Sequence, residues 1–341
     1  MRQSEVAVGI ELEAAVCPLC GSGGKAPVLS SASMDCMTDL RFDVTACDRC
    51  GLLMTDPRPV PVAIGMFYEG GLYETAESTV KKLVVNPVMK RLQVLRLRQA
   101  AAQRQAGRLL DVGCGKGKFL ATAARRGWEA WGIEPSQRSV SQTAAGARIF
   151  AGSFDDAELP DGYFDLVTMW HTLEHFHQPL ETLVRIRRKL KADGILVVRV
   201  PNSDSWDFRW GRGDWFQLDL PRHLYHFSPA SLSAMLEKAG FRVTRVSTVS
   251  PEDNPMATLQ TFMAVLGIGQ GSVFQLFKGD LGSGNRSGGL GRALLTLGVA
   301  VFLLLPSLLF SQLAQLAGKG GTLTMTAVKD GQAGGNGRIK R

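Results

Sequence analysis

The pattern of apolar and polar positions is most regular between residues 108 and 249. Short apolar runs alternate there with amphipathic stretches, which predicts strands alternating with helices. The predicted strands are Leu109–Val112, Glu129–Ile133, Phe164–Met169, Ile195–Val200 and Arg242–Val249. Helices are predicted to begin at Lys118, Ser136, Pro179 and Pro229. Alternation of this kind is typical of a parallel sheet with helices on both faces, so we expect an α/β fold over residues 76–250.

Beyond this region the pattern changes to two longer apolar stretches, 256–277 and 290–317, which a glycine-rich segment separates. We therefore predict that residues 251–321 form an apolar helical insert. The segment 322–330 again has the pattern of a strand and is predicted to be the last strand of the sheet. The basic, glycine-rich tail 331–341 has the composition of a disordered segment.

The N-terminal region 1–75 differs again, because it contains two C-x-x-C pairs that are each followed by glycine. Glycine at that position permits the tight turn that points both sulfurs of a pair inward. Two such pairs in a reduced compartment supply a closed tetrahedral shell of thiolates, which predicts a zinc ribbon and a linker. The predicted ligands are Cys17, Cys20, Cys47 and Cys50. A closed shell leaves no position for a reacting water, so we expect the zinc to be structural or to serve in substrate docking.

Composition supports a globular protein, since 45% of the 341 residues are hydrophobic and 21% are charged. The formal net charge is +8, yet the first sixty residues hold more acidic than basic side chains. That distribution argues against binding to nucleic-acid phosphates. The opening residues lack the basic and apolar regions of a secretory signal, so we expect a cytoplasmic protein with reduced thiols.

The strongest chemical signal is the turn in Arg108-Leu-Leu-Asp-Val-Gly-Cys-Gly-Lys-Gly-Lys-Phe119, where a predicted strand runs into a predicted helix. Glycines at 113, 115 and 117 allow a ligand to lie against the backbone and the helix N-terminus. The spacing matches neither the G-x-G-x-x-G of dinucleotide sites nor the G-K-[ST] of a P-loop. The ligand predicted for this turn is therefore of another class.

This segment resembles the first motif, D-V-G-C-G-x-G, of the class I S-adenosylmethionine-dependent methyltransferases. The resemblance continues in order and spacing from 108 to 241. Phe164–His175 is similar to the family's fourth-strand motif, and Leu190–Asn202 is similar to the strand that follows. The resemblance implies a Rossmann-like, seven-stranded methyltransferase sheet and S-adenosylmethionine as the cofactor.

The resemblance also implies the cofactor contacts. Glu134 ends the second predicted strand, where the family's acidic residue binds both ribose hydroxyls through its paired acceptors. Phe154 and Asp155 lie near the position that contacts adenine, although this chain has Ser153 where the family often has Asp. The implied cofactor-binding residues are Asp111, Gly113, Cys114, Gly115, Gly117, Glu134, Phe154 and Asp155.

The sequence His171-x-x-Glu174-His175 resembles the Glu-x-x-Glu-His motif of the ubiquinone-pathway O-methyltransferases, which is associated with a divalent metal. Here a histidine replaces the first glutamate. Two imidazoles and a carboxylate could hold a metal ion, or His175 or His171 could remove a proton from the attacking hydroxyl. A third alternative is that this loop only shapes the cofactor pocket.

A second histidine-bearing segment, Asp219–His226, resembles the loop before the last helix in bacterial relatives that often carry such a ribbon. It places Arg222, His223 and His226 in a short polar loop. For a single histidine of this kind, a satisfied structural position is the more common explanation, so these residues are not predicted to be catalytic.

In the family's fold, the connection between the last two strands leaves the carboxyl edge of the sheet, where ligands bind. The insert is therefore expected beside the active-site mouth. Pro306 interrupts its second stretch, which favours association with a membrane surface over a single crossing. A hairpin that dips into the bilayer, a soluble lid and a homodimer contact are the alternatives.

These observations predict a methyltransferase, peripheral to the inner face of the membrane, that acts on an oxygen of a small-molecule, lipid-like or lipid-linked acceptor such as a quinol or a glycan. One alternative is a methyltransferase that acts on a soluble glycan or small molecule. The other is a non-catalytic scaffold that binds a partner through the insert.

Overall fold

The computed structural model describes residues 10–33, 40–68, 86–101, 104–140, 146–268 and 289–331.

The chain forms two compact units. The first combines Met1–Glu77, Pro201–Ser228 and Asp253–Gly321, and the second combines Ser78–Val200, Pro229–Glu252 and Thr322–Arg341. Residues 201–228, which lie inside the predicted 76–250 domain, thus belong to the same unit as the cysteine-rich region and the insert. Most of the predicted disordered tail lies outside the described residues.

The second unit contains a seven-stranded sheet. Its strands are β6 (Arg108–Val112), β7 (Glu129–Glu134), β8 (Ala147–Ala151), β9 (Phe164–Trp170), β10 (Leu190–Pro201), β12 (Phe241–Ser247) and β13 (Thr322–Lys329). The order across the sheet is β12-β13-β10-β9-β6-β7-β8. The pairs from β10 to β8 are parallel, and β13 runs antiparallel to β12. This confirms the predicted Rossmann-like methyltransferase sheet.

The central strands were predictable because strands of a parallel sheet are buried on both faces and have continuous apolar runs. β8 was not predicted. It is an edge strand without a fully buried side chain, so its short sequence Ala-Arg-Ile-Phe-Ala lacks such a run. β10 begins at Leu190 rather than Ile195, because its pairing with β9 shifts in register between these two residues.

The helices of this unit are α1 (Asn86–Ala101), α2 (Lys118–Ala124), α3 (Gln137–Val140), α4 (Pro179–Lys189) and α6 (Pro229–Lys238). α1 and α2 bury Leu97, Phe119 and Leu120 in a cluster with sheet residues such as Leu109 and Leu166. Pro87 lies in the first turn of α1, where its missing N–H removes no helical hydrogen bond.

The first unit contains a small antiparallel sheet. Its strands in the N-terminal region are β2 (Lys25–Ala32), β3 (Arg41–Cys47) and β4 (Leu53–Thr55), with β1 (Leu12–Glu13) and β5 (Arg58–Pro59) forming a separate pair. The short strand β11 (Tyr225–His226), far along the chain, adds to the edge of β4. A shared core joins these segments, in which Phe42 and Val44 pack with Trp215 and Leu218.

The same unit contains the insert, which confirms the predicted apolar helical segment before the last strand. It consists of α7 (Asn254–Val265) and α8 (Gly289–Leu316), and α5 (Trp206–Gly211) precedes them in the chain. Leu259 and Met263 of α7 pack on Leu303 of α8. Within the described residues, Leu295–Leu316 of α8 is the one stretch with the length and apolar composition of a membrane span, at a mean hydropathy of 2.1.

Candidate cofactor and metal sites

The glycine turn between β6 and α2 has the backbone that its sequence predicts. Gly113, Gly115 and Gly117 have φ of 74°, 52° and 66°, in the left-handed region that favours glycine. A side-chain carbon on Gly113 would lie 2.5 Å from Thr172 Cγ2, so the turn also lacks room for one. The N–H groups of Gly113 and Cys114 donate to the carbonyl of Ile133 at 2.8 and 3.0 Å. The turn is therefore fixed against the end of β7, and three of its five residues have no side chain.

Glu134 ends β7 directly beside this turn. One carboxylate oxygen accepts the N–H of Gly115 at 2.8 Å, and the other accepts the N–H of Ser136 at 3.0 Å. The structure thus brings together the glycine turn and the acidic residue that were predicted to share one ligand. A carboxylate in this position offers paired acceptors to a vicinal diol, which is the arrangement expected for binding a ribose.

The side chains of Asp111, which precedes the turn in β6, and of Cys114, which lies within the turn, are both buried. Asp111 is buried in β6 and accepts a hydrogen bond from Thr168 of β9 at 2.7 Å. Burial raises the pKa of Asp111 to about 7. The Cys114 sulfur packs against the backbone of Gly132 in β7, and burial also raises the pKa of this thiol. Their direct contact with a cofactor stays a prediction.

The two residues predicted near adenine follow β8. Phe154 is buried beneath the guanidinium of Arg185, whose carbon lies 5.6 Å from the ring centroid. Asp155 is exposed and pairs with the same arginine. The Ser153 hydroxyl donates to Asp156 at 2.6 Å, so the turn is held by a local hydrogen bond. The adenine contact stays a prediction for both Phe154 and Asp155.

The motif His171-x-x-Glu174-His175 lies at the carboxyl end of β9. The Glu174 carboxyl group is fully buried, and its Oε1 lies 3.6 Å from Nδ1 of His171. His171 has a φ of 51°, which is uncommon for a residue with a side chain, and strain of this kind clusters at functional sites. The ligand atoms of Glu174 and His175 lie within 4.8 Å of each other, whereas His171 does not complete a set of three with them among the described residues. The roles of His171, Glu174 and His175 as base, metal ligands or walls of the cofactor pocket stay predictions.

A buried arginine that the sequence reasoning did not single out adjoins this motif. Arg199 of β10 accepts the His171 N–H on its carbonyl at 2.8 Å. Its guanidinium pairs with Glu252 and covers the ring of Trp170 at 4.8 Å. Arg96 covers the same ring at 4.7 Å and binds the same Glu252 at 2.6 Å. The sequence signal was present, because Arg199 interrupts the apolar run Ile-Leu-Val-Val-Arg-Val of a central strand.

Four cysteine sulfurs come together in the N-terminal region. The Sγ atoms of Cys17 and Cys50 are 3.4 Å apart, as are those of Cys20 and Cys47, and all four lie within 4.8 Å of one another. Zinc–sulfur bonds of about 2.3 Å place tetrahedral sulfurs roughly 3.8 Å apart, so the set has the size of a zinc shell. Burial opposes ionisation of Cys47, but N–H donors from Cys50 and Arg49 outweigh it and lower the thiol pKa to about 7.

The loop with Arg222, His223 and His226 is buried within the first unit. Arg222 pairs with Asp219, and Nδ1 of His223 lies 2.9 Å from the carbonyl oxygen of Gln217. Nε2 of His226 lies 3.3 Å from the hydroxyl of Thr55. Each of these three side chains therefore has a polar neighbour inside the first unit, and the prediction that they are not catalytic stays a prediction.

Residues 88–246 match a family described as a methyltransferase domain. The chain is 34% identical over 172 residues to the tRNA U34 carboxymethyltransferase of Methylococcus capsulatus, a match that covers 46% of this chain and 51% of that protein. It is 28% identical over 142 residues to the ubiquinone biosynthesis O-methyltransferase of Cereibacter sphaeroides, covering 36% and 58%.

Among solved structures, a SAM-dependent methyltransferase from Archaeoglobus fulgidus is 19% identical, with a TM-score of 0.43 over 70% of this chain and 94% of that one. The chain spans just over half the length of the curated relatives that it matches.

Proposed function

We propose that the protein transfers the methyl group of S-adenosylmethionine to an oxygen of a lipid-like or lipid-linked acceptor at a membrane surface. The match of residues 88–246 to a methyltransferase domain supports the reaction type. The observation that supports the cofactor assignment is the glycine turn 113–117 together with Glu134, whose carboxylate accepts the N–H of Gly115. When bound, S-adenosylmethionine supplies an electrophilic methyl group on a sulfonium. Much of the catalytic effect then comes from holding the acceptor oxygen in line with that methyl group.

In this proposal the turn and Glu134 hold the cofactor. The glycines of the turn leave its backbone accessible to a ligand. The helix α2 begins directly after the turn, so its N-terminal N–H groups would face the same ligand. Each oxygen of Glu134 accepts one backbone N–H and has acceptor capacity left, with which the carboxylate would bind the two ribose hydroxyls.

His171 is the proposed base. Its imidazole would take the proton from the acceptor hydroxyl as the oxygen attacks the methyl group. The buried Glu174 carboxylate, 3.6 Å from Nδ1, favours the imidazolium that forms. The backbone bond to Arg199 fixes the strained main chain of His171, so the ring is held in one direction.

The membrane part of the proposal rests on the faces of α8, which are the reverse of those of a water-soluble helix. Among the described residues of α8, Leu303 is the one large apolar side chain that is buried, and the other buried residues are small or polar: Thr296, Ser307, Ser311, Ala314 and Gln315. The outer side carries large apolar ones, with Val301, Phe302, Leu305 and Leu309 exposed by 57% to 77%. Contacts through small residues with apolar side chains outward are typical of helices in lipid.

Connectivity argues for a surface position rather than one crossing. The insert leaves from β12 and returns to β13, and these two strands pair with each other. Both ends of the insert must therefore lie on the same side of a bilayer. We propose that α8 lies in the interface plane of the inner face of a membrane, with the rest of the chain in the cytoplasm.

The metal part of the proposal is one structural zinc ion held by Cys17, Cys20, Cys47 and Cys50. The observation that supports it is the convergence of the four sulfurs. An ion with four protein ligands has no open position for substrate, so no step of methyl transfer is assigned to it.

The acceptor class can be tested with S-adenosylmethionine labelled in its methyl group. We expect purified protein to transfer label into the lipid phase of a cell extract, and His171→Ala to lose that transfer while retaining cofactor binding. Label recovered only in soluble glycan, protein or RNA would overturn the lipid-like acceptor. Cofactor binding without transfer to any fraction would favour a scaffold that binds a partner.

Cofactor binding itself is tested by Glu134→Ala. Removing the paired acceptor should cost about 1.5 to 3 kcal/mol of binding free energy, as expected for hydrogen bonds to a charged group. Titration calorimetry with S-adenosylmethionine measures the loss. The matched control is Glu129→Ala at the opposite end of β7, whose carboxylate binds Trp131 and Arg108 and should leave the affinity unchanged. Equal affinities for the wild type and Glu134→Ala would remove the assignment.

A further inference from the structure

Three side-chain oxygens converge beside Gly321, in the turn that precedes β13. A methyl group on Gly321 would lie 3.1 Å from Gln217 Oε1, 3.4 Å from Asp207 Oδ2 and 3.6 Å from Asn254 Oδ1. The three oxygens thus all lie within 3.6 Å of one point. They come from separate segments of the first unit: Asp207 lies in α5, Gln217 in the 3-10 turn Phe216–Leu218, and Asn254 at the start of α7.

All three residues are buried. Asp207 and Asn254 are each 1% exposed, and Gln217 is 8% exposed. The Asp207 carboxyl group uses one oxygen to accept the hydroxyl of Thr258 at 2.6 Å. Its other oxygen, Oδ2, has no hydrogen-bond donor among the described residues, and this is the oxygen that points into the space beside Gly321. A buried carboxylate in this state requires a compensating positive group.

The cationic side chains nearest in the chain are engaged elsewhere. Lys319 and Arg209 both pair with Asp204, not with Asp207. A cation can bind all three oxygens, since carboxylate and amide oxygens are ligands of hard cations.

We propose that Asp207, Gln217 and Asn254 form a binding site for a singly charged hard cation, Na⁺ or K⁺. The charge of the site sets the charge of the ion, because one carboxylate neutralises one positive charge. A divalent ion would leave a net charge in a buried place, which is costly. The ion would tie α5 and the start of α7 to the turn before β13. It would therefore stabilise the base of the helical insert, independently of methyl transfer.

The test is thermal unfolding of the full, zinc-loaded chain in NaCl, KCl or tetramethylammonium chloride at one ionic strength, since the last cation is too large for the site. We expect Na⁺ or K⁺ to raise the Tm by about 3 to 5 °C, the shift for an ion at roughly ten times its Kd. Gly321→Ala should abolish this difference by filling the space, and Asp207→Asn should abolish it by removing the charge. Gly23→Ala is the matched control, because a methyl group there meets no neighbour within 4 Å.

A second measurement does not depend on the stability of the variants. Crystals of the wild-type protein soaked in RbCl should show an anomalous scattering peak between the three oxygens. Identical Tm values in the three salts would overturn the proposal, as would an ion dependence retained in Gly321→Ala. Stabilisation by Ca²⁺ but not by Na⁺ or K⁺ would overturn the assignment of a singly charged ion.

Discussion

Cys47→Ser is expected to release zinc and unfold the N-terminal sheet of the first unit. Binding of structural zinc contributes about 10 to 16 kcal/mol in small zinc modules, far more than three short strands supply by themselves. The damage should extend beyond the ribbon. β11 pairs with β4, and Phe42 and Val44 share a core with Trp215 and Leu218. Segment 201–228 should therefore become accessible to protease together with the N-terminal region.

Elemental analysis and limited proteolysis check this result. Wild-type protein should contain one zinc ion per chain and resist cleavage near residue 215, whereas Cys47→Ser should lose both properties. Cys114→Ser is the control, because Cys114 is buried outside the cysteine cluster and should leave the zinc content at one. Wild-type protein that is purified without chelators and contains no zinc would contradict the prediction.

A variant of α8 with Val301→Ser, Phe302→Ser, Leu305→Gln and Leu309→Gln is expected to lose association with vesicles. Each substitution removes an exposed apolar side chain that would otherwise leave water on binding, at about 1 kcal/mol each. The four together should weaken partitioning roughly a thousandfold, since 1.4 kcal/mol is a factor of ten. The inner face of α8 is untouched, so the packing with α7 and the folding of the unit should be retained.

Flotation with vesicles of phosphatidylcholine and phosphatidylglycerol measures the effect. A variant with Val16→Ser and Val62→Ser removes exposed valines from the N-terminal region and is the control for general loss of surface apolarity.

Substitution is preferable to deletion of residues 256–317. Thr258 binds Asp207, and the Thr261 hydroxyl accepts the N–H of Phe216, so deletion would open the core of the unit. If wild-type protein ignores vesicles and the variant converts a dimer into a monomer, α8 is a subunit contact.

The sequence by itself determined the parts of the fold that depend on local signals. Buried parallel strands require apolar runs, which is why β6, β7 and β9 were predicted within a few residues of their observed bounds. The edge strand β12 was predicted from its alternation of apolar and polar residues. Positive φ values in a turn favour glycine, so the glycines at 113, 115 and 117 marked the turn whose Gly115 N–H binds Glu134. The spacing of the two cysteine pairs likewise marked the four-sulfur cluster, because each pair lies within one tight turn.

The tertiary structure decided which distant segments meet. A pattern of apolar residues shows that a side chain is buried but does not identify its neighbour. The pairing of Tyr225 with Met54 and the pair between Arg199 and Glu252 depend on contacts between segments far apart in the chain. The composition of α8 marked it as apolar, but only the tertiary structure showed that Ser307, Ser311 and Gln315 are buried while most of its large apolar side chains are exposed. Asp207, Gln217 and Asn254 carry no common motif, and only the fold brings their oxygens to Gly321.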